Sequence, residues 1–170
     1  MKLTIRTTSL TLREFETGDA EPLCRIESLP EVVRYQNFPA RTLENATAYV
    51  ASAQESARQE PRTCFELIAT RPNNPFLGRV GAIVTGEATS LWYVIDPAHQ
   101  GQGIASEATR ALMDYLHRLG HHTFLIECDP RNMASRRVAE KLGFQLVWEK
   151  PDSIEIQDEL VGSRLYRRVF

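Results

Sequence analysis

Asp96-Pro97-Ala98-His99-Gln100-Gly101-Gln102-Gly103-Ile104-Ala105 is the stretch on which the reading of this chain turns. It stands between an apolar run over residues 90–95 and a pattern of helical period over residues 106–119. That order is strand, glycine-bearing loop, helix N-terminus. The first turn of a helix carries backbone N–H groups with no intrahelical acceptor, and the macrodipole adds partial positive charge there. Glycine at 101 and 103 removes side chains that would hold an anion away from those groups. The segment therefore predicts a pyrophosphate cradle.

Two other nucleotide motifs begin in a similar way. Gly101-Gln102-Gly103 before a helix can open a dinucleotide fingerprint, and Glu127 or Asp129 stands roughly where its ribose carboxylate belongs. The third glycine of that motif is Ser106 here, residues 96–100 intervene after the strand, and too few residues follow for a doubly wound domain. A phosphate-binding P-loop is excluded because no Gly-Lys-Ser/Thr follows.

A second segment lies beyond the predicted helix. An apolar strand over 123–128 leads into Asp129-Pro130-Arg131-Asn132-Met133-Ala134-Ser135, a helix over 136–142, and Gly143-Phe144. With this segment the chain resembles the GNAT superfamily of acetyl-coenzyme A-dependent N-acetyltransferases. Gln100, Gly103 and Ala105 match its first signature, and Asn132 with Gly143-Phe144 matches its second. The opening, Ser9-Leu10-Thr11-Leu12-Arg13-Glu14-Phe15, then Gly18-Asp19-Ala20 and Leu29-Pro30-Glu31-Val32, is similar to the branch of ribosomal-protein N-terminal acetyltransferases.

Bulk properties fit that resemblance. A chain of 170 residues suits one domain over residues 1–170, able to bury about two-thirds of its extended-chain surface. Hydrophobic content of 42% and charged content of 25% are ordinary for a globular protein. A net charge of −2 gives no bulk electrostatic reason to bind nucleic acid or an anionic membrane. Cys24, Cys64 and Cys128 are odd in number, far apart and beside apolar runs, which predicts buried thiols in a reducing compartment, the cytoplasm. No apolar run reaches the ~20 residues a membrane helix needs, and Leu3-Thr4-Ile5 does not start a signal segment.

Periodicity and turn residues predict a mixed α/β fold with about six to seven strands. A first strand is expected over 9–15, a helix capped by Asp19 to Ser28, and a short helix opened by Pro30. A loop over 35–40 follows, then an amphipathic helix over 43–59 with Ala46, Tyr49, Val50 and Ala53 inward. A strand over 64–70 ends at the Arg71-Pro72-Asn73-Asn74-Pro75 turn cluster, and strands over 76–85 and 89–95 form a hairpin. Gly120 is placed to end the 103–119 helix, and strands over 144–150 and 163–169 close the chain. The early part is antiparallel, and residues 91–128 form a βαβ crossover.

The resemblance also implies a site. The strand carrying Tyr93, Val94 and Ile95 splays from the 123–128 strand, and pantetheine enters the gap. A backbone N–H at Tyr93 or Val94 polarises the thioester carbonyl, and Gln100, Gly101, Gln102, Gly103, Ile104, Ala105 and Ser106 hold the pyrophosphate. Asn132 anchors the pantetheine arm or caps its helix. The tyrosine that many members carry seven residues after the Asn is Ala139 here. The ribosomal-type branch often has a serine three residues after the Asn, here Ser135, which either donates to the departing thiolate or bonds backbone in the first helical turn. A glutamate that the branch often places six residues before Asp96 is Ser90, which leaves Glu66, Glu87, a water chain or an already neutral amine as the source of nucleophile. No metal is implied, and His121-His122 with Cys128 match no common zinc spacing. The acceptor is an amine, on a protein N-terminus or a small molecule, and residues 30–42 and 151–161 set it. The chain is expected to act as a monomer or homodimer. A competing class is a catalytically weak acyl-coenzyme A sensor, which Ala139 and Ser90 keep open.

Overall fold

In the computed structural model, which describes residues 2–156 and 159–170, the deciding stretch joins a strand to a helix as expected. The strand is Ala88–Ile95 and the helix Ile104–Arg118, and a parallel strand, Thr123–Cys128, follows. Numbered along the chain, the strands are β1 (Thr4–Arg6), β2 (Thr11–Glu14), β3 (Cys64–Arg71), β4 (Asn74–Thr85), β5 (Ala88–Ile95), β6 (Thr123–Cys128), β7 (Gln145–Ile156) and β8 (Glu159–Val169). The helices are α1 (Ala20–Glu27), α2 (Pro30–Val33), α3 (Leu43–Ser56), α4 (Ile104–Arg118) and α5 (Met133–Lys141).

One sheet takes the order β1-β2-β3-β4-β5-β6-β8-β7. Every pairing is antiparallel except β5 with β6, which the α4 crossover makes parallel. Alternation along the strands sends side chains to two faces. Leu67, Val80 and Leu91 pack with Ala108, Leu112 and Met113 of α4 and Ala139 of α5. On the other face, Ile68 and Val94 meet Leu23 and Ile26 of α1 and Ala46 and Val50 of α3.

Several expectations are corrected. The sheet has eight strands, because β1 pairs Ile5 with Leu12 and residues 3–6 are too short to show a period. β7 and β8 run far beyond 150 and 163 as a long hairpin, so the unpatterned 151–161 segment is strand up to Ile156 and from Glu159, and residues 157 and 158 lie outside the described residues. α3 ends at Ser56, and α5 starts at Met133 because Asn132 caps it. Asp19 leads into α1, but its carboxylate accepts from Glu16 N at 2.7 Å and from Arg13 at 2.7 and 2.8 Å instead of capping that helix. Cys128 is buried, while Cys24 and Cys64 are half-buried, and all three are free thiols.

Candidate functional site

β5 and β6 are paired only where they begin. Ala88 lies opposite Thr123, Thr89 opposite Phe124 and Ser90 opposite Leu125. Beyond that point residues 91–95 stay with β4 while residues 126–128 stay with β8, so the two strands fork. Gly78 lets β4 follow β5 to the end of the fork: with φ of +141°, it faces Ile95, and a Cβ there would fall 2.2 Å from the Val94 carbonyl oxygen. The fork opens into a cleft of about 610 Å³.

Three groups of residues line this cleft. Tyr93, Val94 and Ile95 come from β5; Gln100, Gly101, Gly103, Ile104, Ala105 and Ser106 from the loop and the start of α4; Asn132 and Ser135 from the start of α5. The structure thus brings together every site residue expected from the sequence except Gln102, whose side-chain oxygen instead accepts from Arg71 at 3.0 Å. The Gln100 amide also braces the loop, donating to the Ile95 carbonyl at 3.1 Å. Asp96 pins the loop's first turn by accepting from Ala98 N at 3.0 Å and from Arg25 at 2.7 Å. Burial pushes the Asp96 carboxyl up, but these bonds more than reverse it and leave its pKa below the usual value.

The loop ends in left-handed backbone. Gly101 and Gly103 have φ of +76° and +78°, a region costly for other L-residues. Gly103 caps α4 without a side chain, and the N–H groups of Ile104, Ala105 and Ser106 meet no acceptor among the described residues. An anion at this helix start finds free donors and a favourable dipole.

At the centre of the cleft stand Tyr93 and Ser135. The Tyr93 hydroxyl lies 2.7 Å from Ser135 Oγ and 3.2 Å from the Ser135 carbonyl oxygen. Burial raises the Tyr93 pKa above the usual phenol value, although the bond to Ser135 opposes it. Asn132 accepts from Ser135 N at 3.0 Å, so it caps α5 and also faces the cleft. Ala139, one turn on from Ser135, is fully buried in the core.

Other cleft residues have little sequence signal. Lys141 lies on the α5 wall four residues after Arg137, and its Nζ is 3.8 Å from where a Gly103 Cβ would stand. The arginines at 131, 136 and 137 are visible in the sequence as candidate phosphate partners or solvated surface charges; Lys141, on the same helix face as Arg137, is the one that reading does not single out. Arg131 and Arg136 are engaged elsewhere, Arg131 by Asp129 at 2.7 Å and Arg136 by the Pro130 carbonyl at 3.3 Å. At the far mouth stand Glu31, Val32, Tyr35 and Gln36, from α2 and the turn after it.

The candidate bases lie elsewhere. Glu87 is exposed in the β4–β5 turn. Glu66 is buried on the α3 face, where it accepts from Tyr49, from Trp92 Nε1 at 3.1 Å and from Arg79. Burial raises its pKa. Trp92 and Tyr93 therefore take opposite faces, the indole lying across Gly81 toward Glu66 and the phenol entering the cleft. Among the described residues there is no group of three His, Cys, Asp or Glu arranged to hold a metal.

Known proteins share this fold. The chain is 28% identical over 147 residues to the uncharacterized N-acetyltransferase p20 of Bacillus licheniformis, covering 84% of this chain and 82% of that one. Its fold matches a GNAT-family acetyltransferase from Bacillus anthracis at a TM-score of 0.86, 23% identity and 98% coverage of both chains. It also matches RimL, a ribosomal L7/L12 alpha-N-protein acetyltransferase, solved with coenzyme A, at a TM-score of 0.88, 21% identity and 98% coverage of both. The family model described as "Acetyltransferase (GNAT) domain" matches residues 9–145, a span that holds the fork, the glycine loop and the start of α5. This chain belongs to the GNAT acetyltransferase family.

Proposed function

We propose that the cleft passes an acetyl group from acetyl-coenzyme A directly to a primary α-amine, within one domain working in the cytoplasm. The observation that carries this reading is the fork. It leaves one side of residues 91–95 unpaired and connects, through one continuous cleft, the free N–H groups of α4 to the surface of α2. A strand edge of that kind can hydrogen-bond an extended amide-bearing chain, as pantetheine is.

The residues fit coenzyme A part by part. Gly101, Gly103 and the first turn of α4 suit the pyrophosphate, with Arg137 and Lys141 adding positive charge beside them. Gln100 and Gln102 would hold the loop in shape rather than touch the phosphates through their side chains. Val94 and Ile95 would meet the pantetheine arm, Asn132 would meet it from the α5 side, and a backbone N–H of Tyr93 or Val94 would polarise the thioester carbonyl. Ser135 would meet the departing sulfur. The acceptor would enter past Glu31 and Tyr35.

Preference for an α-amine follows from the cleft's chemistry. Only the neutral amine attacks, and Glu31 at the mouth is the one carboxylate among the lining residues. An α-amine titrates near ~7.7–8.0 and a lysine side chain near ~10.4, so about two orders of magnitude more of the former is neutral at pH 7. The resemblance of residues 9–32 to the ribosomal-protein branch, and the fold shared with RimL, support a peptide N-terminus as acceptor. Acetyl-coenzyme A turnover against a panel of N-terminal peptides, amino-acid derivatives, polyamines and lysine peptides tests this. We expect α-amines to lead and the rate to climb with pH toward the acceptor's pKa. A preference for lysine, or a rate flat from about pH 6 to 9, would show that an unrecognised base operates.

A further inference from the structure

We infer that the side chain of Tyr93 is a positioning residue for Ser135, holding the serine hydroxyl so that its hydrogen faces the sulfur of the departing thiol. The inference rests on the reading of Ser135 given above. It gives the phenol a task distinct from that of the Tyr93 backbone.

The geometry singles out this pair. Tyr93 stands on β5 and Ser135 in the first turn of α5, and both line the cleft. Of two acceptors within reach of the phenol, Oγ at 2.7 Å is closer than the Ser135 carbonyl at 3.2 Å. Either hydroxyl can donate across this contact; we take the phenol, the more acidic of the two, as the donor and Ser135 Oγ as the acceptor. The Oγ hydrogen must then leave along another direction, toward the Cys128 thiol that Ser135 also meets or into the cleft where the departing sulfur would stand. Asn132 bonds the Ser135 backbone N–H and fixes the residue without occupying its hydroxyl. Burial keeps the phenol un-ionised, so it is a donor at every working pH. A hydroxyl that accepts one hydrogen bond gives a stronger one, which is what a thiolate requires.

The bond changes balance without a proton from the protein. The amine nitrogen attacks the thioester carbon, a C–N bond forms, and the C–S bond breaks with its electron pair left on sulfur. The nitrogen sheds one proton, which reaches the thiolate through solvent in the cleft. Ser135 shields the sulfur charge by hydrogen bonding in the interval, and Tyr93 keeps it aimed. α5, which carries Ser135, offers no tyrosine for this task, because position 139 is a fully buried alanine.

The test is a double-mutant cycle of Tyr93→Phe and Ser135→Ala, with coenzyme A binding by calorimetry and fold by circular dichroism as controls. Each single variant is expected to lower kcat by roughly tenfold, the scale of one well-placed hydrogen bond, while KM for acetyl-coenzyme A stays near its original value. The double variant is expected to be no slower than Ser135→Ala. With a selenoester analogue of acetyl-coenzyme A, whose selenolate is a weaker base, both defects are expected to shrink. Multiplying defects, a Tyr93→Phe loss undiminished with the selenoester, or an effect on KM alone would overturn the inference. If Tyr93→Phe does not fold, fluorotyrosine at 93 keeps the packing while strengthening the donor; kcat should then respond with the thioester and not with the selenoester. Full kcat in Ser135→Ala would sink the reading of Ser135 itself, whereas loss there with none in Tyr93→Phe would sink this inference alone.

Discussion

Gly103 shows how one position serves the chain and its ligand at once. Its φ of +78° would strain any side chain, by about 1–3 kcal/mol. Space is not the obstacle, since the nearest atom to an added Cβ is Lys141 Nζ at 3.8 Å. What a side chain would take up is the approach to the α4 N–H groups. Gly103→Val is therefore expected to lower Tm yet keep the circular dichroism of the fold, and to abolish the calorimetric heat of coenzyme A binding. Gly86, with φ of +60° and nothing within 4 Å, lies in the distant β4–β5 turn and supplies the control. Gly86→Val should lose comparable stability and bind coenzyme A normally. Equal binding by both variants would remove the cradle. Gly101, Gly103 and Asn132 stand out in the sequence because backbone geometry demands glycine or a cap, and such demands are local; Ser135 stands out only through the family resemblance. The Tyr93 hydroxyl was not legible as Ser135's partner, because that contact joins residues 42 apart.

Between elements, a buried ionic brace ties α1, α3 and the 34–42 loop to the sheet. Arg79 of β4 bonds Glu27 of α1 at 2.5 Å and Tyr49 of α3 at 2.9 Å, and Arg41 bonds Glu27 from the other side. Arg41 also lies over the rings of Phe38 and Tyr49, at 4.7 and 4.2 Å. Removing one partner of a buried pair costs about 3–5 kcal/mol, chiefly through the charge left behind. Arg79→Met, which leaves Glu66 without a cation and Glu27 with Arg41 alone, is expected to cost about 3 kcal/mol in urea unfolding. Glu66→Gln keeps an acceptor for Trp92 and Tyr49 and removes a carboxyl that burial already disfavours, so it should cost less. The reverse ranking would mean that Arg79 is not the cation on which the brace depends. Sequence patterning located α3, β3 and β5 because burial on one face leaves a period. It gave no sign of the brace, since Glu27, Arg79 and Glu66 occupy inward positions that pattern reading reserves for apolar residues. The long β7–β8 hairpin was missed for a related reason: β7 lies at the sheet edge with most of its side chains exposed, so its outer half carries no apolar alternation.

For the molecule as a whole, acid is the condition that should loosen the assembly. Glu107 of α4 accepts from Thr7 Oγ1 at 2.5 Å, Ser9 N at 2.9 Å and Ser9 Oγ at 2.8 Å, fastening the β1–β2 turn to the far side of the cleft's helix. Burial pushes the Glu107 carboxyl up, and these bonds bring it below its ordinary value; Asp96 and Asp129 are depressed as well. A carboxylate depressed in the folded state gives stability that is whole above its unfolded pKa, about 4, and is lost as pH falls through the folded value. Glu66 has the opposite sign, its contribution fading as pH rises through its elevated pKa. The urea midpoint is expected to hold from neutrality to about pH 5 and drop below about pH 4, with a shallower drop in Glu107→Gln; an equal slope would free Glu107 of that role.

The sheet's two borders bear on a different matter, the chain's conduct in crowded solution. One border is β1, only three residues long. The other is the twelve-residue β7, whose register slips between Leu146 and Trp148 and again between Lys150 and Ile154, with Glu149, Lys150 and Pro151 at the second irregularity. A net charge of −2 gives little mutual repulsion between copies. Irregular, charged and proline-bearing borders deny a neighbouring chain a flat template to extend. Colloidal stability of this protein thus rests on the shape of its margins, and straightening β7 would invite fibrils before it disturbed the fold.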